Sequence, residues 1–306
     1  SMVYSFDDAS AADRHTTQYF EMFGNRGIYH DGWTAVTRHS IPWDISGSPP
    51  PFDDDVWELY DTNTDWTQAH DLAAEMPDKL AELQRLWLIE AARYNVLPMD
   101  DRRLERMIPA MAGRPTLIKG DTQALFPGMA MGENNVVDIK NKSYAVTANL
   151  VLPEKDAKGV IIAQGANFGG WALYVHDGRL KYIYNFLGLD LYQVEAPNPL
   201  PTGEHQVRLE FAYDGGGLGK GGTATLYLDG KELAEGRVEH THASIFSADS
   251  TALVGDKTGA PIGPDLKIEG NPFNGVVKGV QIDLKLSDAD HYVSDNQRWR
   301  VAMAIQ

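Results

Sequence analysis

Trp171 to Phe186 reads WALYVHDGRLKYIYNF. Two β-prone runs, Trp171 to His176 and Leu180 to Phe186, flank Asp177-Gly178. Asp-Gly between such runs signals a hairpin, because a two-residue turn needs positive φ at both positions and these residues reach it cheaply. Trp171, Tyr174, Tyr182 and Tyr184, with Tyr192 beyond, could form a ring platform for sugar. Aromatic residues are also the ordinary filling of a core between two sheets, and alternation along a strand sends only some outward. The rings are therefore read as core.

Similar runs continue on both sides. Ala145 to Leu152, Val160 to Gln164, Leu189 to Val194, Gln206 to Tyr213, Thr223 to Leu228 and Val276 to Leu284 all read as short strands. Gly188 and Asp229-Gly230 mark further tight turns. Many strands at short spacing predict a sandwich or barrel over residues 116–306. Ser294 to Ile305 reads as one closing helix, with Val301 and Ile305 on one side.

The first 95 residues have a different texture. Thr17 to Met22, Arg26 to Tyr29, Trp33 to Thr37 and Trp57 to Tyr60 read as strands, with turns expected at Gly24-Asn25 and Asp31-Gly32. Gly47 to Asp55, GSPPPFDDD, has the composition of an exposed loop. Pro77 opens a helix at a position it tolerates, and Asp78 puts negative charge near the positive end of the dipole. Leu80, Leu83, Trp87, Ala91 and Tyr94 then recur at three- and four-residue spacing and predict one buried face. The fold class expected is α+β: a small antiparallel sheet with a packed helix, then an all-β sandwich. Residues 96–115, charged and proline-punctuated, suit a linker. Tyr19, Phe20, Phe23, Ile28, Tyr29 and Trp33 are more apolar surface than one helix can cover, since pleating sends neighbours to opposite faces.

Composition narrows the function. A net charge of -16 over 306 residues repels polyanions, so nucleic acid and anionic membrane are poor partners. No run of 18 apolar residues exists to span a bilayer, and Ser1 to Phe6 shows no signal-peptide pattern. Cytoplasm and periplasm both stay open. The chain has no cysteine, which removes disulfides, thiolate metal sites and cysteine nucleophiles.

Three stretches resemble the C-terminal region of the arylsulfatase family, within the alkaline-phosphatase-like superfamily. His15 to Arg38, HTTQYFEMFGNRGIYHDGWTAVTR, matches the family's strand pair through Gly24-Asn25-Arg26-Gly27-Ile28 and Gly32-Trp33, with Thr34 where lysine is common. Trp57 to Leu72, WELYDTNTDWTQAHDL, resembles a signature of glutamate-leucine-tyrosine-aspartate, asparagine and aspartates. The helix Pro77 to Tyr94 follows in family order. The rest resembles the β-domain appended in one bacterial arylsulfatase subgroup. It is also similar to concanavalin-like (jelly-roll) and laminin-G-like sandwiches, through Trp171 to Gly178, Gly203 to Leu209 and Thr225 to Gly230.

The resemblance implies sulfate-ester hydrolysis by a formylglycine, made from Cys or Ser in C/S-x-P-x-R, with a divalent cation, calcium or magnesium, held by Asp and Asn residues. No serine here is followed by x-Pro-x-Arg, and Ser48 precedes Pro49-Pro50-Pro51 at the wrong spacing. The family's metal ligands lie upstream of the matched stretches. The expectation is a C-terminal fragment with no catalytic residue, metal ligand or cofactor of its own. Its partner would be the missing N-terminal sulfatase domain, or another copy of itself. In the family the small sheet abuts the catalytic pocket, which makes His15 and Gln18 candidate pocket-rim residues. The alternative is a free-standing module that binds a glycan or a protein.

Other patterns have simpler readings. Gly217-Leu-Gly219-Lys-Gly-Gly222 fits G-x-G-x-x-G but lies between strands, so it reads as a hairpin loop. Asp53-Asp54-Asp55 lacks the alternate-residue spacing of a calcium loop and reads as solvated. Asp214 and Asp229 read as turn residues. His240-Thr-His242 would put two imidazoles on one strand face without a third ligand, and reads as exposed histidines.

Overall fold

The computed structural model describes residues 2–41, 49–102, 104–113, 117–246, 251–284, 286, 291–293 and 303. The chain divides into two compact units, Ser1–Leu104 and Glu105–Gln306. The chain is mostly β, with one long helix against the smaller sheet. No helix among the described residues is long and apolar enough to cross a membrane.

The first unit is an antiparallel sheet of β1 (Thr17–Met22), β2 (Asn25–His30), β3 (Trp33–Thr37) and β4 (Trp57–Asp61) in that order. Register aligns Tyr19, Ile28, Ala35 and Leu59 across one face. Helix α1 (Pro77–Arg93) lays Leu83, Trp87 and Ala91 on that face. The Trp87 indole meets Trp57 edge-on at 6.4 Å and donates its Nε1–H to Phe20 O at 3.1 Å, tying the helix to the outermost strand. Tyr94, expected on the buried face, is half exposed and stacks on Tyr19 instead, because the helix ends at Arg93. Asp31 and Gly32 both take positive φ, 44° and 84°, as the hairpin requires. The preceding turn sits one residue earlier than expected: Phe23 and Gly24 carry the positive φ, and Asn25 already belongs to β2.

The second unit contains β5 (Thr122–Leu125), β6 (Ala130–Gly132), β7 (Tyr144–Leu152), β8 (Gly159–Ala166), β9 (Gly169–His176), β10 (Arg179–Phe186), β11 (Asp190–Glu195), β12 (Gly203–Tyr213), β13 (Gly222–Leu228), β14 (Lys231–Val238), β15 (Thr251–Val254) and β16 (Val276–Asp283). They form two six-stranded antiparallel sheets of jelly-roll type, ordered β11-β10-β9-β8-β15-β6 and β14-β13-β12-β7-β16-β5. The core between them takes alternate residues from each strand: Val146, Ala148 and Leu150 of β7, Val207, Leu209 and Phe211 of β12, and Trp171, Leu173 and Val175 of β9. Burying each large side chain contributes about 1.5–3 kcal/mol. Trp171, Tyr182 and Tyr184 lie in this core, Tyr174 is buried on the outer side of its sheet, and Tyr144 Oη meets Tyr182 Oη at 3.0 Å.

Both outer faces have further cover. The sheet containing β8, β9 and β10 carries a second apolar cluster, Val160, Ala163, Ala172, Tyr174 and Ile183, beneath Ile262 and Leu266. Burial on two faces explains why Val160-Ile-Ile-Ala163 is an unbroken apolar run. Asp265 clamps that cover, accepting from Tyr174 Oη at 2.9 Å and Lys181 Nζ at 3.1 Å. The other sheet's outer face carries a polar row. Arg208 donates to Glu210 and to Thr147 Oγ1, both at 2.7 Å, and His291 reaches Glu210 at 2.9 Å. The closing helix expected at 294–305 lies, Met303 apart, outside the described residues.

Candidate functional site

His15 and Gln18 are three residues apart at the entry to β1, and their side chains meet: His15 Nε2 lies 3.0 Å from Gln18 Oε1. Gln18 Nε2 turns back onto Tyr19 O at 2.6 Å. Gln18 also borders an open groove on the sheet face away from α1. Phe20, Met22, Gly27 and Val36 form its walls, with Arg26 and Asn25 at one end. Phe20 and Met22 are more than half exposed, whereas Ile28 faces α1 and is fully buried.

A charged cluster sits behind the same sheet. Asp55, only 1% exposed at its side chain, pairs with Arg26 and with His39 Nδ1, the latter at 2.9 Å. His39 is itself fully buried, stacks on Phe52 at 4.2 Å, and reaches Asp101 through Nε2 at 3.3 Å. Arg26 lies over the rings of Phe52, Trp57 and Trp87. Its Nε is buried without a hydrogen-bond partner among the described residues. Asp55 is therefore no solvated loop residue. The acidic run places Asp53 and Asp54 outside and turns the third carboxylate inward.

On the sandwich, a polar recess of about 160 Å³ opens on the outer face of the β12-containing sheet. Its lining comes from β7 (Asn149), β12 (Glu204, His205, Gln206), the β13–β14 turn (Asp229), β16 (Lys278) and Tyr292. Asp229 accepts Gln206 N–H at 2.9 Å and meets His205 Nδ1 at 2.7 Å. Gln206 donates to Asn149 Oδ1 at 3.0 Å and is gripped at both ends by the Val293 backbone, at 2.8 Å each. Lys278 and Glu204 pair at 2.7 Å on the rim. The alternation of β12 marks Glu204 and Gln206 as outward. No sequence signal joins them to Asn149 or Lys278, which only register brings alongside.

The remaining candidates fall to structural roles. His240 and His242 share no strand: β14 ends at Val238. His240 stacks on Phe186, while His242 is buried, its N–H bonded to Tyr184 Oη at 2.7 Å and its Nε2 donating to Asn185 O at 3.1 Å. A Cβ on Gly169 would collide with this ring and with Phe246 O, so the backbone there must be glycine. Burial lowers the His242 pKa below the ordinary histidine value, against the raising effect of the Asn185 bond. Asp214 pairs with Arg237, which holds its carboxyl below the usual range. The residues from Gly217 to Gly221 lie in the β12–β13 loop, Gly222 opens β13, and Asn141 Oδ1 accepts Gly219 N–H. No group of three His, Asp or Glu placed to hold a metal occurs among the described residues.

No protein-family model matches the chain. Among solved structures, the chain is similar to the CBM40 of a Ruminococcus gnavus IT-sialidase bound to α2,3-sialyllactose. That match has 14% identity and a TM-score of 0.38, covering 57% of this chain and 95% of that one. It is also similar to domains LG4-5 of the mouse laminin α1 chain, at 17% identity and a TM-score of 0.33, over 59% and 44% of the two chains. A SAP-like pentraxin of Limulus polyphemus matches at 16% identity and a TM-score of 0.31, over 55% and 78%. At such scores, what this chain does rests on its own geometry.

Proposed function

We propose that the chain is the non-catalytic C-terminal part of an arylsulfatase-like sulfuric ester hydrolase. In that reading the first unit completes one side of the catalytic pocket, and the sandwich serves assembly or substrate access. The reading rests on the sequence resemblance of the three stretches, and in the structure these stretches pack together within the first unit. Gly32 O, from the first stretch, accepts both Thr62 N–H and Thr62 Oγ1–H from the second, at 2.8 and 2.6 Å. The Asn63 side chain fills the space a Cβ on residue 32 would need. Leu59 N–H and Leu72 N–H bond to Asp71 Oδ1 and Leu59 O, closing the signature loop under α1.

Formylglycine and a divalent cation do not fit this donor set: no Cys or Ser-x-Pro-x-Arg precursor is present, and no three-ligand cluster among the described residues. No step of hydrolysis is assigned to these residues. His15 and Gln18 would stand at the pocket's rim, and the partner would be an N-terminal sulfatase domain. The purified chain should leave a chromogenic aryl sulfate unhydrolysed with added calcium or magnesium. Turnover that survives purification and is lost on mutating a residue of this chain refutes the assignment. A Cys-x-Pro-x-Arg upstream in the same reading frame supports it.

A second reading, a free-standing glycan- or protein-binding module, is favoured by the polar recess. That recess is built wholly within the sandwich unit, which has its own core.

A further inference from the structure

We propose that the recess lined by Asn149, Gln206, Asp229, Lys278 and Tyr292 binds one pyranose ring of a neutral glycan. The inference deepens the module reading by naming its site and ligand, and it is independent of whether the parent is a sulfatase.

Size comes first. A volume of about 160 Å³ is well below the roughly 300–1,000 Å³ of sites for drug-sized ligands, so the recess takes one ring rather than a chain segment. Its lining is polar, which disfavours an apolar ligand. Carboxylates from Glu204 and Asp229 face one ammonium, Lys278, in a chain of net charge -16, which disfavours phosphate or sulfate. Calcium wants six to eight oxygen ligands, roughly, and the lining offers two carboxylates, one of them, Glu204, paired with Lys278.

What remains is a ligand able to donate and accept at many points. Hydroxyl groups do both, and the walls mix amides, carboxylates and an ammonium. The floor is also fixed before any ligand arrives. Gln206 is nearly inaccessible and is held by Val293 through both amide ends, and this grip sets the direction of the Asn149 carbonyl. β7, β12 and β16 hold the walls in a continuous hydrogen-bonded ladder. A preformed site loses less conformational entropy on binding. Tyr292 belongs to the lining and is 44% exposed, and an aromatic ring is a surface on which the C–H face of a sugar packs.

The test is a titration of the full chain, followed by amide NMR, with the methyl glycosides of glucose, galactose and N-acetylglucosamine. Sodium sulfate and calcium chloride are run alongside. At least one glycoside should give saturable shifts at the amides of Asn149, Glu204 to Gln206 and Asp229. Tyr292→Ala and Asn149→Ala should each weaken that glycoside at least tenfold, while Phe168→Ala, at an exposed loop remote in sequence from the recess, should not. Tyr292→Ala removes an exposed ring and remains informative if Asn149→Ala fails to fold. The proposal is overturned if no glycoside shifts these amides, if the shifts survive Tyr292→Ala unchanged, or if sulfate or calcium alone reproduces them. Absence of sulfatase activity or of an upstream motif bears on the hydrolase reading and leaves this result untouched.

Discussion

Asp55 holds two partners that no contiguous motif announces, Arg26 from β2 and His39 from the loop after β3. Removing one member of a buried ion pair leaves the other charge uncompensated, at a cost of about 3–5 kcal/mol. Asp55→Asn should therefore lower the unfolding free energy of the first unit by roughly that amount in urea titration. A loss below about 1 kcal/mol would assign the cluster the weight of a surface pair. His242 makes a pH-dependent counterpart in the sandwich. Its folded pKa lies below that of the unfolded chain, so above about pH 6.5 the ring is neutral in both states and its full contribution is present. As pH falls through that value the unfolded state takes up a proton that the folded state refuses, and stability drops. Thermal melts of wild type and His242→Gln should converge as pH is lowered from 7.5 to 5.5. A constant gap would mean that His242 charges freely within the fold.

At the scale of elements, the Asp31-Gly32 hairpin is both a turn and a packing seam. Gly32 has φ +84° and Asn63 packed against it. Gly32→Ala should destabilise the small sheet by more than the ~0.4–1 kcal/mol that a compatible Gly→Ala exchange gains. The double variant with Asn63→Ala should recover only the steric part, and full recovery would show that φ is not the constraint. This turn was readable because its chemistry is local. β1 to β4, α1 and eight sandwich strands were readable for the same reason: alternation or an unbroken apolar run persists long enough to register. β5, β6 and β15 have three or four residues each, too few for a period to show. β14, KELAEGRV, is a polar edge strand whose one buried residue is Val238. Of the candidate sites, the His15–Gln18 spacing is local and visible. The recess draws on several separate segments, and its register exists only once the sheet does.

On the scale of the whole molecule, the face of the small sheet away from α1 is where association in solution is expected. One helix covers only the Tyr19–Ile28–Ala35–Leu59 row, and the opposite face leaves Phe20 and Met22 exposed on edge strand β1. Exposed apolar groups on an edge strand favour association. Light scattering should show wild type self-associating at high concentration and a Phe20→Glu, Met22→Lys variant staying monomeric. A monomeric wild type would show that this face needs no cover. The sandwich has a different exposure, one in time. β7 takes β12 on one side and β16 on the other, and β16 in turn pairs with β5, which comes before all of them. A chain emerging from the ribosome amino end first therefore exposes β5 and one side of β7 until nearly the whole unit has been made. Long-range pairing of this kind also slows refolding. The interval between synthesis and closure is when these strands are open to misassembly, and when a chaperone would have its opportunity.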